Sequence, residues 1–304
     1  MLKSLYSGVS GMKGFQTKLD VIGNNVANVN TVGFKKGRVM FQDIINQNIA
    51  GATAPTTQSG GVNPKQVGLG TKVGSIDTIH TPGSPMTTGV GTDLAIDGDA
   101  FFVVKDGVNG PSYLTKAGNF NRDANGDLVN SNGYLVSGVK VKINAGAPPT
   151  RTITQVPRIN ITKDDKTDLN FTSYSIDSNG YINVVDEKGN SGKLAYDGTD
   201  YYLNNTATTD DNVSIATSVV PNPGGLQKVG NTMFAITGNS GNGTPDAIQY
   251  NKGGTINSGI LEMSNVDLTD EFTEMIVAQR GFQANARTIT TSDSILEELI
   301  NLKR

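Results

Sequence analysis

The sequence predicts an α+β multidomain protein: paired N- and C-terminal helices, coiled-coil-like, plus an all-β core domain with a small inserted β domain. Three observations predict this class. Apolar residues recur every three or four positions at both chain ends. Short apolar runs separated by Asp-Gly, Asn-Gly and Ala-Gly turns fill the middle, which is typical of β-hairpins. Pro/Gly-rich stretches at 145–149 and 220–225 bracket a segment rich in Thr, Asn and Asp.

The N-terminal stripe predicts a helix that is weak on its own. Its apolar positions are Leu2, Leu5, Val9, Met12, Phe15, Leu19, Ile22, Val26 and Val29. Gly8, Gly11, Gly14 and Gly23 interrupt it, and each interior glycine costs about 0.5–1 kcal/mol relative to alanine. Pairing with one helix explains the stripe but leaves the glycines unexplained. We therefore expect the pair of terminal helices to order fully only within an assembly.

The C-terminal stripe has a stricter 4-3 spacing and contains a single glycine. It runs through Leu268, Phe272, Met275, Gln279, Phe282, Ala286, Ile289, Asp293, Leu296 and Ile300. Asp267, Thr269 and Asp270 provide capping and negative charge at its start, and Lys303 and Arg304 complement the dipole at its end. The two stripes predict a helical inner domain formed by 1–36 with 267–304.

Three further segments lie between the helices. Residues 37–72 are predicted to be a linker or extended region, because 46–64 lacks bulky side chains. Residues 73–143 with 222–266 are predicted to form the β domain, and 144–221 the inserted outer β domain.

Composition excludes several classes of function. The absence of cysteine among 304 residues excludes disulfides and thiolate metal sites, and one histidine, His80, excludes a histidine triad. We expect His80 to be a surface or hydrogen-bonded strand residue. A net charge of −3 and the lack of long apolar runs argue against nucleic-acid and membrane partners, and no secretory signal-peptide pattern is present. Asn121, Asp123, Asn125 and Gly126 resemble a calcium loop, but position twelve is Asn132, so a hairpin turn is favoured. No catalytic, metal or cofactor-binding residues are predicted.

Two terminal motifs resemble the rod and hook axial proteins of bacterial flagella. NNVANVNTVGFKK at 24–36 is similar to the N-terminal signature, and 261–304 is similar to its C-terminal counterpart. GTDLAIDGDAFFVV and YLTKAGNFNRDANGDLVNSNGYLV resemble the family's β domain. The N-terminal motif residues are Asn24, Asn25, Val26, Ala27, Asn28, Asn30, Thr31, Gly33, Phe34 and Lys35, and Lys35 is expected in solvent or against an acidic neighbour.

The resemblance implies a non-enzymatic subunit that polymerises into a tube. Within the family the chain is most similar to short hook proteins, which implies a bendable universal joint that transmits motor torque to the filament. A distal rod subunit is the alternative, and a secreted adhesin-like β binding module is the rival from another class. The implied partners are further copies of the chain, rod and hook–filament junction proteins, the hook cap and the flagellar export apparatus. The implied location is the extracellular flagellum, reached without a cleaved signal peptide.

The helical termini are predicted to supply the assembly interface, packing against each other and against neighbouring subunits. The predicted interface residues are Leu5, Val9, Met12, Leu19, Val26, Phe272, Met275, Phe282, Ile289 and Leu296.

Overall fold

The chain divides into two compact units. The computed structural model describes residues 2–56, 60–144, 150–205 and 211–302. The helical unit comprises Met1–Val29, Lys36–Ile79 and Val266–Arg304, and the β unit comprises Asn30–Lys35 and His80–Asn265. The Pro/Gly-rich stretch at 145–149 and the charges at 303–304 lie outside the described residues.

Two long helices dominate the helical unit. Helix α1 (Leu2–Ala27) packs against α3 (Leu268–Asn301), with elements numbered along the chain. Helix α3 begins as predicted, because the Asp267 carboxylate accepts hydrogen bonds from the backbone N–H groups of Thr269 and Asp270. This agrees with the predicted α+β class, since most remaining elements are strands. Among the described residues, no helix combines the length and apolar character needed to cross a membrane.

Strands, rather than an unpaired linker, occupy much of 37–72. Strand β1 (Gly37–Asp43) pairs antiparallel with β4 (Thr71–Thr78), and β2 (Asn46–Ala50) pairs antiparallel with β3 (Lys65–Gly68). β1 also packs on α1. Both strands of the β2–β3 ribbon are exposed along their length, so they lack the alternation of buried and exposed residues that indicates a strand in the sequence.

The β unit is built from short antiparallel strands. Its first strands are β5 (Pro85–Thr87), β6 (Leu94–Asp97), β7 (Phe101–Lys105), β8 (Ser112–Thr115), β9 (Asn121–Arg122), β10 (Leu128–Val129), β11 (Leu135–Val136), β12 (Gly138–Asn144) and β13 (Thr150–Val156). The next are β14 (Lys163–Asp164), β15 (Leu169–Ile176), β16 (Ile182–Asp186), β17 (Ser191–Tyr196), β18 (Tyr201–Asn204) and β19 (Val213–Ser218). The last elements are β20 (Gln227–Gly230), β21 (Met233–Ala235), β22 (Asp246–Ala247), helix α2 (Ile248–Asn251), β23 (Thr255–Ser258) and β24 (Ile260–Glu262), and a 3-10 turn covers Pro223–Gly225.

Two sheets of the β unit share one core. The larger has the order β13-β12-β19-β7-β11-β10-β9, with β8, β20, β21 and β22 attached, and the smaller has the order β14-β15-β16-β17-β18. Phe102 and Phe120 from the first part of the unit lie in the same buried cluster as Ile182 and Leu194 from the smaller sheet. The segment predicted as an inserted domain therefore contributes to a common core. β12 and β13 also pair across the predicted boundary at 144.

One turn design recurs four times in the β unit. It starts at Asp123, Asn130, Asp177 and Asp186, and each has a glycine three positions later with φ between +79° and +85°. In each turn the N–H of the first residue donates to the carbonyl four residues later, and the glycine N–H donates back to the first residue. Positive φ is readily available to glycine, which explains the Asn-Gly and Lys-Gly pairs. The hairpin interpretation of the calcium-like sequence at Asp123 is confirmed.

Candidate assembly interface

Glycines allow the close contact between α1 and α3. A Cβ on Gly8 would lie 3.1 Å from Ile289, and one on Gly11 would lie 2.9 Å from the Asn285 side chain. From the other helix, a Cβ on Gly281 would lie 2.6 Å from the Phe15 ring. These contacts show that the helices run antiparallel.

A second face of α1 lies against the strands of the helical unit. A Cβ on Gly14 would lie 2.8 Å from the Phe41 ring, whose centroid is 6.0 Å from that of Phe15. A Cβ on Gly70 would lie 2.3 Å from Ser10 Oγ. Close contacts within the chain therefore explain three of the four α1 glycines, Gly8, Gly11 and Gly14. This corrects the expectation that intramolecular pairing leaves the glycines unexplained. Gly23 is the exception, because a Cβ at that position would have no neighbour within 4 Å.

The structure divides the predicted interface residues into two groups. Those partly covered within the chain are Leu5, Met12, Leu19, Val26, Met275, Ile289 and Leu296. Those exposed are Val9, Phe272 and Phe282, with Phe272 retaining 49% of its accessible surface and Phe282 37%. Their participation in contacts between copies stays a prediction.

The sequence pattern missed half of the α3 surface that faces inward. Glu271, Ala278, Asn285 and Ser292 recur every seven residues and are buried or partly buried. These residues are small or polar, so the spacing of apolar residues does not indicate that they are buried. That spacing indicates the row containing Phe272, which is more exposed. The seven-residue step and the neighbouring Gly281 are the signals that identify this row.

Large apolar side chains remain exposed along α3. Phe272 and Ile276 lie one turn apart near its start, and Ile295 and Leu299 lie one turn apart near its end. The complete set of exposed large apolar side chains on or adjoining α3 is Leu268, Phe272, Ile276, Val277, Phe282, Ile295, Leu299, Ile300 and Leu302. These exposed apolar side chains make α3 the candidate interaction surface of the helical unit.

Asn25 of the N-terminal motif is a buried bridge within the helical unit. Its Nδ2 donates to the Gly37 carbonyl at 2.9 Å and to Glu271 Oε2 at 3.1 Å, while Oδ1 accepts from the Gly37 N–H at 2.9 Å. Asn28 follows one turn later and donates from Nδ2 to the Asn24 carbonyl at 2.8 Å. These asparagines hydrogen-bond backbone groups around the end of α1, which explains residues that otherwise weaken helices.

The motif continues into the β unit, where Gly33 and Lys35 occupy buried positions. Gly33 has φ +69°, its N–H donates to the Glu262 carbonyl at 2.8 Å, and a Cβ would lie 2.5 Å from the Ala117 nitrogen. Lys35 Nζ contacts Glu262 Oε1 at 2.5 Å and donates to the Thr81 carbonyl at 2.8 Å. Gly33 thus requires glycine both for conformation and for space.

Further cations surround the same carboxylate. Lys116 Nζ lies 3.9 Å from Glu262 Oε2 and donates to the Gly98 carbonyl at 2.6 Å. Burial lowers the pKa of Lys116 to about 8, with Lys35 acting in the same direction and Glu262 opposing. Lys228 Nζ donates to the Lys35 carbonyl at 2.8 Å. The predicted placement of Lys35 against an acidic neighbour is confirmed, whereas Glu262 and Lys116 were not identified from the sequence.

His80 lies beside this cluster and differs from its predicted role. Its ring centroid is 5.7 Å from that of Phe101 and 5.4 Å from that of Phe234, and both ring nitrogens are buried. Burial lowers its pKa to about 4, and the positive charges of Lys35, Lys228 and Lys116 act in the same direction. The prediction of a surface or hydrogen-bonded strand residue was wrong, because His80 lies after the end of β4 and its ring packs against two buried aromatic side chains. Across the described ranges, no three metal-ligating side chains are grouped to hold an ion.

Both ends of the chain and its β unit match known families. Residues 5–35 match the model described as "Flagella basal body rod protein", 95–184 match "Flagellar hook protein FlgE/F/G D1 domain", and 257–302 match "Flagellar basal body rod FlgEFG protein C-terminal". The flagellar basal-body rod protein FlgG of Bacillus subtilis (strain 168) is 48% identical over 306 residues, covering 100% of both chains. The chain belongs to the flagellar rod and hook protein family. The family predicted from the terminal motifs is confirmed.

Hook proteins are also relatives within this family. The flagellar hook protein FlgE of Borreliella burgdorferi (strain ATCC 35210 / DSM 4680 / CIP 102532 / B31) is 33% identical over 444 residues, covering 100% of both chains. The hook protein FlgE of Helicobacter mustelae is 48% identical over 139 residues, covering 45% of this chain and 31% of that protein.

The N-terminal and C-terminal family matches each contribute one residue to two buried polar contacts, Asn25–Glu271 and Lys35–Glu262. Asn25 and Lys35 fall in the N-terminal match, and their carboxylate partners Glu271 and Glu262 fall in the C-terminal match. The two ends of this rod and hook family member are therefore joined by buried hydrogen bonds as well as by apolar packing.

Proposed function

We propose that the chain is a non-enzymatic structural subunit that polymerises through its helical termini into a flagellar axial tube. The exposed apolar surface of α3 carries this proposal. Phe272, Ile276 and Ile295 each retain about half of their accessible surface, although they lie on α3, the helix that packs against α1. Because about half of each side chain is still exposed, covering it with further copies of the chain would stabilise the assembly by about 0.8–1.5 kcal/mol per residue.

The helical unit is proposed as the inner wall of this tube. Leu5, Met12 and Met275 are already partly covered within the chain, so they would hold the α1–α3 pair together. Val9, Phe272 and Phe282 are exposed and would contact neighbouring copies. The ten predicted interface residues would thus serve two different contacts.

The rod of the flagellar basal body is our first candidate for the tube. Alignment to the Bacillus subtilis rod protein spans 306 residues and covers both chains completely, so the two proteins match along their whole length. Alignments to two hook proteins require 444 and 465 positions, against the 304 residues of this chain. The hook relatives therefore contain segments that this chain lacks.

The flagellar hook is the second candidate, favoured by full-length similarity to hook proteins and by the hook D1 match at 95–184. In that case the tube would act as the bendable joint between motor and filament. For either structure we propose location in the flagellum, export without a cleaved signal peptide, and contacts with the export apparatus and with neighbouring axial components. In the hook these would include the junction proteins and the hook cap.

An assembly assay tests the polymer. We expect the purified chain to form tubes visible by electron microscopy, and Phe272→Asp to block them, because a charge would enter an apolar contact. Thr273→Asp places the same charge on the next exposed residue and should leave assembly nearly unchanged. A monomer with unchanged circular dichroism shows that the variant folds. Normal tubes from Phe272→Asp would overturn the interface, and a soluble binding module that never polymerises would overturn the function.

A label distinguishes rod from hook. The turn at Asp186–Asn190 is exposed from Glu187 onward, so it accepts a short epitope insertion between Lys188 and Gly189. Immunogold imaging of isolated hook–basal bodies should mark the rod. Labelling confined to the hook would reject our first candidate and support the second.

A further inference from the structure

A small pocket opens in the helical unit at the end where α1 finishes and α3 begins. It has a volume of about 190 Å³, and its apolar wall comprises Val21, Ile22, Val39 and Ile79. The volume suits one or two aliphatic side chains, far less than a typical small-molecule site of about 300–1,000 Å³. An apolar side chain is the chemistry that this wall would accept.

Ion pairs border the pocket. Lys18 Nζ lies 3.0 Å from Glu274 Oε2, and Lys36 Nζ lies 3.8 Å from Glu271 Oε1. A lysine ammonium group has three donors, so each can contact a second carboxylate while retaining the first. The mouth therefore suits an apolar side chain that has carboxylates close by.

The opposite end of the same helix pair presents such a side chain. α3 has 34 residues and α1 has 26, and Gly8 lies against Ile289, so the last two turns of α3 extend past the start of α1. Leu302 retains 82% of its accessible surface, and Leu299, one turn earlier, retains 49%. Glu297 and Glu298 lie within the preceding turn and a half.

The two features cannot meet within one molecule. Glu274 and Leu302 are separated by 28 positions of one helix, or about 40 Å at 1.5 Å per residue. If the exposed leucines of one molecule, here called the knob, fill the pocket of an identical molecule, the contact is head-to-tail. Such contacts generate open helical filaments when they do not close into rings. This is the type of contact that a growing tube requires.

We propose that Leu302 and Leu299 of one copy insert into the Val21–Val39 pocket of the next copy along the tube. The inference rests on the proposed function and specifies one of its contacts. Glu297 and Glu298 then approach Lys18 and Lys36 of the receiving copy.

The absence of native cysteine permits a direct test by disulfide trapping. Leu302→Cys and Val21→Cys are placed in the same chain, tubes are assembled, and a mild oxidant is added. We expect a ladder of covalent multimers on non-reducing gels, because each copy carries both halves of the contact. Mixing chains with only one of the two cysteines should yield dimers and no ladder. Lys188→Cys combined with Val21→Cys is the collision control.

Three outcomes are informative. Tubes that form without cross-links above the control overturn the knob-and-pocket contact while leaving the proposed function intact. A wild-type chain that forms no polymer overturns the proposed function, and the inference with it. Cross-linking only between two Leu302→Cys sites would indicate a tail-to-tail contact and also overturn the inference.

A charge substitution provides a second readout. Leu302→Asp should raise the critical concentration for polymerisation about tenfold or more, the effect of losing one buried leucine. Asn301→Asp introduces the same charge at the adjacent exposed residue and should change it by less than about threefold. Equal effects of the two substitutions would contradict insertion of Leu302.

Discussion

Asn25 and Gly37 close the end of α1 onto the start of β1 through two reciprocal hydrogen bonds. The Asn25 amide donates to the Gly37 carbonyl and accepts from the Gly37 N–H, each at 2.9 Å, across a separation of twelve residues. The same amide also donates to Glu271 of α3. One side chain therefore fixes three elements of the helical unit.

Replacing Asn25 should destabilise the helical unit. Asn25→Ala leaves the Gly37 backbone groups and Glu271 without these partners, and we expect a loss of about 1–3 kcal/mol in the free energy of unfolding. Urea denaturation followed by circular dichroism measures it. Asn24→Ala, at an exposed position one residue earlier, should change stability by less than about 0.5 kcal/mol. Equal effects at the two positions would contradict the bridging role.

Two glycines of the paired helices should respond oppositely to alanine. Gly281→Ala forces the Phe15 ring to move, because a Cβ there would lie 2.6 Å from it, and we expect a lower melting temperature. Gly23→Ala meets nothing within 4 Å and should stabilise α1 by about 0.5–1 kcal/mol. Thermal unfolding of both variants distinguishes them. Stabilisation by both substitutions would show that the helices are not closely apposed at Gly281.

Removing the Lys35 ammonium should be costly. Lys35→Met leaves the Glu262 carboxylate buried with the Gly83 N–H at 3.0 Å and with Lys116, 3.9 Å away, as its nearest cation. We expect a loss of about 3–5 kcal/mol in the free energy of unfolding. Arg38→Met removes a cation 3.9 Å from Asp77 where both side chains are about half exposed, and should cost less than about 1 kcal/mol. Denaturant titrations of the two variants provide the comparison. Adding Glu262→Gln to Lys35→Met should recover part of the loss.

His80 should make the stability of the β unit depend on pH. Its pKa is about 4 in the folded chain against 6.5 ordinarily, so the unfolded chain binds the proton first as pH falls. The contribution of neutral His80 is fully present above about pH 6.5 and is lost progressively between pH 6.5 and 4. His80→Leu should remove this component. The stability difference between wild type and variant, measured by urea denaturation across that range, isolates it from carboxylate titration.

The turn between β20 and β21 contains a residue poorly suited to its conformation. Asn231 and Thr232 have φ of +53° and +57°, and positive φ is unfavourable for a β-branched residue such as threonine. Thr232→Gly should stabilise the chain by about 1 kcal/mol, since Asn-Gly is the preferred pair for such a turn. A rise in the melting temperature would confirm it. An unchanged or lower value would show that other contacts of Thr232 outweigh the strain.

The sequence predicts the paired helices and the hairpin turns because their signals are local. The 3–4 spacing of Leu5, Met12 and Leu19 identifies a helix, and a glycine three positions after Asp123 identifies a turn, from a few neighbouring residues.

Features that depend on distant residues are not accessible in this way. The partner of Lys35 lies 227 positions away at Glu262, and the partner of Asn25 lies 246 positions away at Glu271. The row of Glu271, Ala278, Asn285 and Ser292 was missed because small and polar residues pack well only where another helix comes close. The shared core of the β unit was missed for a similar reason, since contacts between Phe120 and the Ile182 region leave no local pattern.

The pairing of α1 with α3 has a kinetic consequence. The two helices, Leu2–Ala27 and Leu268–Asn301, are far apart in the sequence, so they cannot meet until α3 has been synthesised and a long loop has closed. The recurrent turns at Asp123, Asn130, Asp177 and Asp186 each close within five residues and form hairpins on a microsecond scale. We expect hydrogen exchange during refolding to protect the hairpins first and the terminal helices last. A folding intermediate between these stages would have a folded β unit and unpaired terminal segments whose apolar side chains are free to bind other molecules.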